Sequence, residues 1–174
     1  MCGIFACLRS FLDGVRIVNG VGLGRDIAQV RRGYDVRHAA QRMAGGQRFL
    51  VGDTITEADV RLFTTLARFD PVYHGHFKTN RQKLAEFPAL WAYARDLFQT
   101  PGFGDTIDFV QIKQHYYLVH SDINPTGVVP KGPDLSNWLT PHGREALGGK
   151  PFGDGTPPGP TREGELVPDG HSAG

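Results

Sequence analysis

The stretch from Phe49 to Phe63 constrains the fold most, because it contains a complete signal for the start of a helix. Thr56 is a good N-cap residue, and the carboxylate of Asp59, three positions later, can accept a hydrogen bond from the Thr56 backbone N–H. Ile55 before the cap and Val60 after it form the branched aliphatic pair of a hydrophobic staple. The pattern predicts a helix over 57–69 and gives Thr56, Asp59 and Ile55 a structural role.

The predicted helix is apolar on most of its sides, and a helix of that kind is usually buried. We therefore expect it to be the central helix of the domain, surrounded by its neighbours. Asp70 and Pro71 predict its end, since proline has no N–H and clashes with a continuing turn. Residues 72–78 are predicted to form a loop or a broken helix.

Two further helices are predicted after this loop. Pro88 suits the first position of one helix, with Arg95 and Asp96 on its solvent side. Its buried stripe comprises Leu90, Trp91, Ala94, Leu97 and Phe98. Asp108 can cap the next helix, whose predicted apolar face holds Phe109, Ile112 and Tyr116. A helix before the capping box, over 34–46, is indicated by the helical spacing of Val36, Ala39, Ala40 and Met43.

The glycine and proline content changes along the chain and indicates separate regions. Many of its 23 glycines and 12 prolines lie beyond Ser121, too densely for regular elements. We predict an ill-defined leader over 1–34, a helical domain over 35–120, an ordered arm over 121–156 and a disordered tail over 157–174.

Charge and cysteine content exclude several classes of function. A net charge of +1 gives no basis for nucleic-acid binding. No apolar run approaches the roughly 18 residues that span a bilayer, and no signal peptide is apparent. The two cysteines cannot form a disulfide framework. These features favour a cytoplasmic protein without a membrane partner.

Four histidines raise the question of a metal site. They are His74, His76, His115 and His120. No cysteine or carboxylate is placed by spacing to complete a ligand set, so no metal is predicted.

The first residues offer a remote alternative. Residues 1–6 (MCGIFA) resemble the start of class II glutamine amidotransferases, and residues 32–35 (RGYD) resemble a second short element of that family. In such a fragment Cys2 would be an N-terminal nucleophile with the α-amine as its base. The resemblance covers ten residues.

A longer resemblance covers about two thirds of the chain, roughly 36–152. Residues 52–78 (GDTITEADVRLFTTLARFDPVYHGHFK), followed by LWAYARDLFQTPGF, IKQHYY, INPTG and PHGRE, resemble the glutathionyl-hydroquinone reductases. These are the Xi-class, Omega-like glutathione S-transferases. The resemblance implies an all-α fold, a glutathione S-transferase C-terminal-like helical bundle, here with a Gly/Pro-rich C-terminal arm.

The resemblance also implies a chemistry. In this family a thioredoxin-like domain binds glutathione, the co-substrate, and carries a nucleophilic cysteine in a Cys-Pro-Trp-Ala motif. That cysteine takes the glutathionyl sulfur from a glutathionyl-hydroquinone, and a second glutathione releases it as glutathione disulfide. The expected partners are a quinone-type substrate, a second copy in a homodimer, and the thioredoxin-like domain.

The sequence departs from this pattern at the nucleophile. Cys2 is followed by glycine and Cys7 by leucine, so the Cys-Pro-Trp-Ala motif is absent. Only about 35 residues precede the helical match. We expect a truncated chain that lacks the thioredoxin-like domain, has no catalytic residue of its own and is inactive alone. Thr79 occupies a position where relatives often carry a cysteine.

Three tyrosines are the candidate substrate-binding residues. Tyr116 matches a tyrosine that the family places in the substrate cleft, where its phenol can hydrogen-bond a quinone oxygen. Tyr117 and Tyr73 are the other candidates. The alternative for Tyr116 is packing against Phe109 and Ile112, and for Tyr117 packing is favoured. A non-catalytic helical interaction module, associating through an exposed apolar face, is the alternative function.

Overall fold

The computed structural model describes residues 43–158. Within that range the regular elements are helical and no strand is present, which confirms the all-α prediction. Three α-helices carry the fold: α1 (Glu57–Arg68), α2 (Pro88–Phe98) and α3 (Phe109–Val119). A π-helical turn (Phe69–Tyr73) extends α1, and 3₁₀ turns cover Leu84–Glu86, Gly104–Thr106, Ser136–Leu139 and Glu145–Leu147.

Helix α1 begins where the sequence predicts. The Thr56 backbone N–H donates to Asp59 Oδ2 at 2.9 Å, and the Thr56 hydroxyl donates to the same oxygen at 2.8 Å. The other oxygen, Asp59 Oδ1, accepts from the Leu50 backbone N–H at 2.9 Å and from the Tyr93 hydroxyl at 2.7 Å. Asp59 is fully buried, and its carboxylate accepts four hydrogen bonds. Through Tyr93 it connects the start of α1 to α2.

The prediction that α1 is buried, because it is apolar on most of its sides, is correct for only one face of the helix. Its buried face contains Ala58, Leu62, Phe63, Leu66 and Ala67. Val60, one partner of the predicted staple, is 46% exposed, whereas Ile55 packs against the core. Val60 shares the outer face with Arg61 and Thr64, since residues three and four apart lie together on a helix surface.

The end of α1 also differs from the prediction. The chain does not leave the helix at Asp70 and Pro71 but passes through the π-helical turn, where the His74 N–H donates to the Phe69 carbonyl at 2.9 Å. Pro71 has no N–H to donate, and the wider turn accommodates it. The Asp70 carboxylate accepts from the Leu84 N–H at 2.6 Å and so fixes the next 3₁₀ turn.

Helices α2 and α3 begin at the predicted residues. Pro88 is the first residue of α2, and Asp108 caps α3 by accepting from the Gln111 N–H at 2.9 Å. The predicted buried stripe of α2 is largely confirmed, but part of its predicted solvent side and part of the predicted apolar face of α3 are wrong. Asp96 is only 2% exposed and lies inside the molecule. In α3 the buried residues are Phe109, Lys113 and Tyr117, whereas Ile112 and Tyr116 are partly exposed.

The segment that follows α3 crosses the helices and returns to the start of α1. Trp138 packs edge-on against Trp91, with the ring centroids 4.7 Å apart, and also contacts Phe98 and Phe109. The Lys150 N–H donates to the Asp53 carbonyl, and the Ile55 N–H donates to the Pro151 carbonyl, each at 2.9 Å. The Gly/Pro-rich arm is therefore held by backbone hydrogen bonds at its far end.

Several predictions lie outside the described residues. They concern the leader 1–34, the amidotransferase-like start with Cys2, Cys7, most of the helix over 34–46, and the tail beyond residue 158. Among the helices of residues 43–158, none combines the length and the apolar character needed to cross a membrane.

Candidate functional site

Two of the three candidate tyrosines meet between the π-helical turn and α3. The hydroxyl oxygens of Tyr73 and Tyr116 are 3.4 Å apart, and their rings lie edge to face with centroids 5.9 Å apart. Both side chains are partly exposed. The structure thus places two phenols side by side at the surface, each with a ring face or edge that a planar aromatic molecule can contact.

A phenylalanine and two histidines complete this group. The Phe77 ring lies 5.6 Å from the Tyr73 ring and 5.8 Å from the Tyr116 ring. It also contacts the His76 ring at 4.8 Å and the His120 ring at 5.9 Å. We call these five residues the aromatic cluster; Phe77 lies at its centre.

The two histidines are hydrogen-bonded to each other. His76 Nε2 and His120 Nδ1 are 3.1 Å apart. His76 is 2% exposed, and burial lowers the pKa of its imidazole, with His120 and Lys78 acting in the same direction. His76 is therefore neutral at physiological pH.

Tyr117 does not join the pair of phenols. Its side chain is buried, and its ring packs against the His76 ring at 4.7 Å. A Cβ at Gly75 would lie 2.9 Å from the Tyr117 hydroxyl, so a larger residue at position 75 would displace the end of the Tyr117 side chain. Burial raises the pKa of the Tyr117 phenol, and a hydrogen bond with the His76 backbone partly opposes this. The position of Tyr117 favours packing over substrate contact.

Thr79 lies directly beside this site. Its backbone N–H donates to the Tyr73 carbonyl at 3.1 Å, and its side chain is buried. Its hydroxyl has no hydrogen-bond partner among residues 43–158. Thr79 contributes no thiol, and both cysteines of the chain, Cys2 and Cys7, lie outside the described range.

The histidines do not assemble as a ligand set within the described residues, where no group of three or more metal-ligating side chains occurs. His115 is exposed on α3, and its ring lies 6.3 Å from the His120 ring. His76 and His120 use facing nitrogens in their mutual hydrogen bond.

A buried ionic network around Asp96 was not predicted from the sequence. Arg48 binds the Asp96 carboxylate with two hydrogen bonds of 2.9 and 3.0 Å. Arg144 Nε is 3.5 Å from Asp96 Oδ2, and His142 Nε2 is 3.6 Å from Asp96 Oδ1. The Asp96 side chain is 1% exposed, so this carboxylate is compensated almost entirely by protein groups.

Arg144 links the arm to the segment before α1. It donates to the backbone carbonyls of Gln47 and Arg48, each at 2.7 Å, and its guanidinium lies 5.6 Å from the centre of the Tyr93 ring. The PHGRE motif contains Arg144, but its spacing alone gives no indication of a buried arginine. The pairing of residues 48, 96 and 144 depends on how the arm folds back.

Lys113 holds the middle of the arm in a comparable way. Its ammonium donates to the carbonyls of Pro130 and Lys131 at 3.0 and 2.9 Å. The side chain is buried, and burial lowers the pKa of its ammonium group. This contact fixes the arm against α3, the helix that carries Tyr116 and is followed by His120.

Comparison with known proteins finds similarity to glutathione transferases. Residues 25–96 match the model of the glutathione S-transferase C-terminal domain. The chain is 44% identical over 107 residues to the glutathionyl-hydroquinone reductase YqjG of Escherichia coli, a match that covers 60% of this chain and 32% of that protein.

Two solved structures extend the comparison. A glutathione transferase from Gordonia bronchialis is 66% identical with a TM-score of 0.74, over 95% of this chain and 51% of that one. The glutathione-bound structure of Escherichia coli YqjG is 40% identical with a TM-score of 0.60, over 70% of this chain and 39% of that one. The chain thus spans about a third of the curated relative and about half of the Gordonia structure.

Proposed function

Because the chain carries a glutathione S-transferase C-terminal domain that resembles the one in glutathionyl-hydroquinone reductases, we propose that it forms the quinol-binding part of a glutathione-dependent reductase. The observation that carries this proposal is the pairing of the Tyr73 and Tyr116 hydroxyls at 3.4 Å. Both rings are partly exposed, so a substrate can reach them.

The chemistry of the two phenols suits a hydroquinone. Each hydroxyl can donate one hydrogen bond and accept others, so one can donate to its neighbour while the second donates to a substrate oxygen. The rings of Tyr73, Tyr116 and Phe77 give the substrate ring the edge-to-face contacts that aromatic pairs prefer. The cluster therefore offers both a polar and an aromatic contact to one planar molecule.

The sulfur chemistry is assigned to a thiolate outside residues 43–158. In the proposed reaction this thiolate attacks the glutathionyl sulfur; an S–S bond forms, the C–S bond to the ring breaks, and the ring carbon takes a proton. A glutathione thiolate then attacks the glutathionyl sulfur of the mixed disulfide; glutathione disulfide forms, the bond to the protein sulfur breaks, and the protein thiolate is released. The thiol belongs to a thioredoxin-like domain with glutathione bound, and the working enzyme is proposed to be a homodimer.

Binding of a glutathionyl-hydroquinone to the full chain, measured by isothermal titration calorimetry, tests the role of the cluster. We expect Tyr116→Phe and Tyr73→Phe each to weaken binding about fivefold to tenfold, because each removes one hydrogen bond of about 1 kcal/mol. Tyr117→Phe is the matched control and should bind like the unaltered chain. Equal affinity of all four proteins would contradict the proposal.

A turnover assay with glutathione and glutathionyl-hydroquinone tests where the thiol lies. We expect little turnover from this chain alone, because neither Cys2 nor Cys7 is followed by Pro-Trp-Ala. Substantial turnover that disappears in Cys2→Ala or Cys7→Ala would place the reactive thiol in this chain instead.

A second candidate function is a non-catalytic interaction module. It is favoured by three exposed aliphatic side chains near the end of α3: Leu118 is 55% exposed, Val119 62% and Val128 64%. Exposed apolar groups of this kind promote association. Size-exclusion chromatography with light scattering decides, since a monomer at all concentrations would count against both this function and the homodimer.

A further inference from the structure

The aromatic cluster contains a second hydrogen bond between the segment at residues 73–76 and the segment at residues 116–120. Tyr73 and His76 lie three residues apart, and Tyr116 and His120 lie four residues apart at the end of α3. The Tyr73 hydroxyl pairs with the Tyr116 hydroxyl, and His76 Nε2 pairs with His120 Nδ1 at 3.1 Å. The two phenols are thus accompanied by two imidazoles with a defined mutual hydrogen bond.

Burial decides which histidine donates. A neutral imidazole has one N–H and one bare nitrogen. His76 Nδ1 is buried and has no hydrogen-bond partner among residues 43–158. An N–H there would be an unsatisfied buried donor, which native proteins avoid. His76 therefore carries its proton on Nε2 and donates to His120.

The same hydrogen bond fixes the other imidazole. His120 Nδ1 accepts from His76, so a neutral His120 carries its proton on Nε2. The His120 ring is partly exposed and lies edge to face with the Tyr116 ring, with centroids 5.3 Å apart. The His120 ring therefore lies directly beside one of the two phenols.

We propose that His120 is a second hydrogen-bond donor to the substrate beside the pair of phenols, held in its Nε2–H tautomer by His76 as a positioning residue. This rests on the proposed quinol-binding function of the cluster. The site then offers one donor from the Tyr73–Tyr116 pair and one from His120. A dihydroxylated or diketo ring accepts such bonds through its oxygens, so the substrate class is a ring with at least two oxygen substituents.

Nitrogen-15 NMR of the full chain without ligand tests the tautomers, independently of any substrate. We expect His76 and His120 both to show the Nε2–H pattern at neutral pH, whereas exposed His115 shows an exchanging mixture. His76→Phe should return His120 to a mixture, and His76→Gln, whose amide can donate from a similar position, should restore the single tautomer. A predominantly Nδ1–H form of His120 in the unaltered chain would overturn the proposal.

Calorimetric binding of a glutathionyl-hydroquinone tests the donor role. We expect His120→Phe to weaken binding about fivefold to tenfold, the effect of losing one hydrogen bond. His120→Gln retains a donor in place of Nε2–H and should recover most of the affinity. His115→Gln, on the same helix but exposed, is the matched control and should bind like the unaltered chain.

The outcomes separate the two proposals. If Tyr116→Phe weakens binding and His120→Phe does not, the donor role is overturned while the quinol site stands. If the unaltered chain binds no glutathionyl-hydroquinone, both the proposed function and the donor role fall, and the tautomer spectra still report on the hydrogen bond itself. If both variants weaken binding and His120→Gln restores it, both proposals are supported.

Discussion

Replacement of Asp96 by asparagine tests whether the buried ionic network holds the arm on the helices. The carboxylate is 1% exposed and receives two hydrogen bonds from Arg48, at 2.9 and 3.0 Å, with Arg144 Nε at 3.5 Å. Asparagine has nearly the same shape, so the change removes the charge without opening a cavity. The Arg144 side chain is itself only 5% exposed.

The expected loss follows from the unpaired cations that remain. Breaking a buried ion pair by removing one partner costs about 3–5 kcal/mol, because the other charge stays buried without compensation. With a urea m-value of about 2 kcal/mol/M for a chain of this size, the unfolding midpoint should fall by about 2 M. Since domains of this kind are stable by only about 5–15 kcal/mol, this is a large fraction of the total.

Urea unfolding followed by far-UV circular dichroism measures the global effect, and amide hydrogen exchange over 142–150 measures the local one. We expect faster exchange of the Lys150 amide, whose hydrogen bond to the Asp53 carbonyl depends on the position of the arm. Asp154→Asn is the matched control, because Asp154 pairs with Lys150 at the surface and its side chain is 99% exposed. Loss of this surface ion pair should leave the unfolding midpoint unchanged. A midpoint for Asp96→Asn within experimental error of the control would refute the role given to the network.

Three further changes probe the cap, the α1–α2 contact and the cluster. Tyr93→Phe removes the 2.7 Å hydrogen bond from the Tyr93 hydroxyl to Asp59 at a fully buried site. The variant should be destabilised by about 1.5–3 kcal/mol in urea unfolding. An unchanged unfolding midpoint would contradict the importance of this hydrogen bond. Thr56→Ala should cost about 1 kcal/mol by the same measurement, with Thr56→Ser as the control that keeps the hydroxyl. Burial lowers the folded-state pKa of His76 below its usual 6.5. The unfolded chain therefore binds more protons than the folded chain under mildly acidic conditions. As a result, the free energy of unfolding should fall as the pH drops below about 6.5. His76→Phe should flatten that part of the stability–pH curve; an identical slope would show that another group is responsible.

The starts of the helices can be predicted from residue order alone. The Thr56–Asp59 box, Pro88 and Asp108 act within one or two turns, because a cap satisfies backbone N–H groups only a few residues away. Their effect does not depend on the rest of the chain, so residue order was enough to predict them. The resemblance to the glutathionyl-hydroquinone reductases also rested on residue order, and the comparisons agree with it.

The buried faces of those helices, and the contacts between residues distant in sequence, depend on the complete fold. The sequence predicts that Asp96 faces solvent, since a charged residue in a helix usually does. Asp96 is instead buried, because Arg48 and Arg144, from segments distant in sequence, both reach its carboxylate in the folded chain. Tyr73 meets Tyr116, and His76 meets His120, for the same reason: the π-helical turn and α3 lie side by side. Charge compensation and side-chain contact depend on distances in space, and the sequence specifies those distances only through the complete fold.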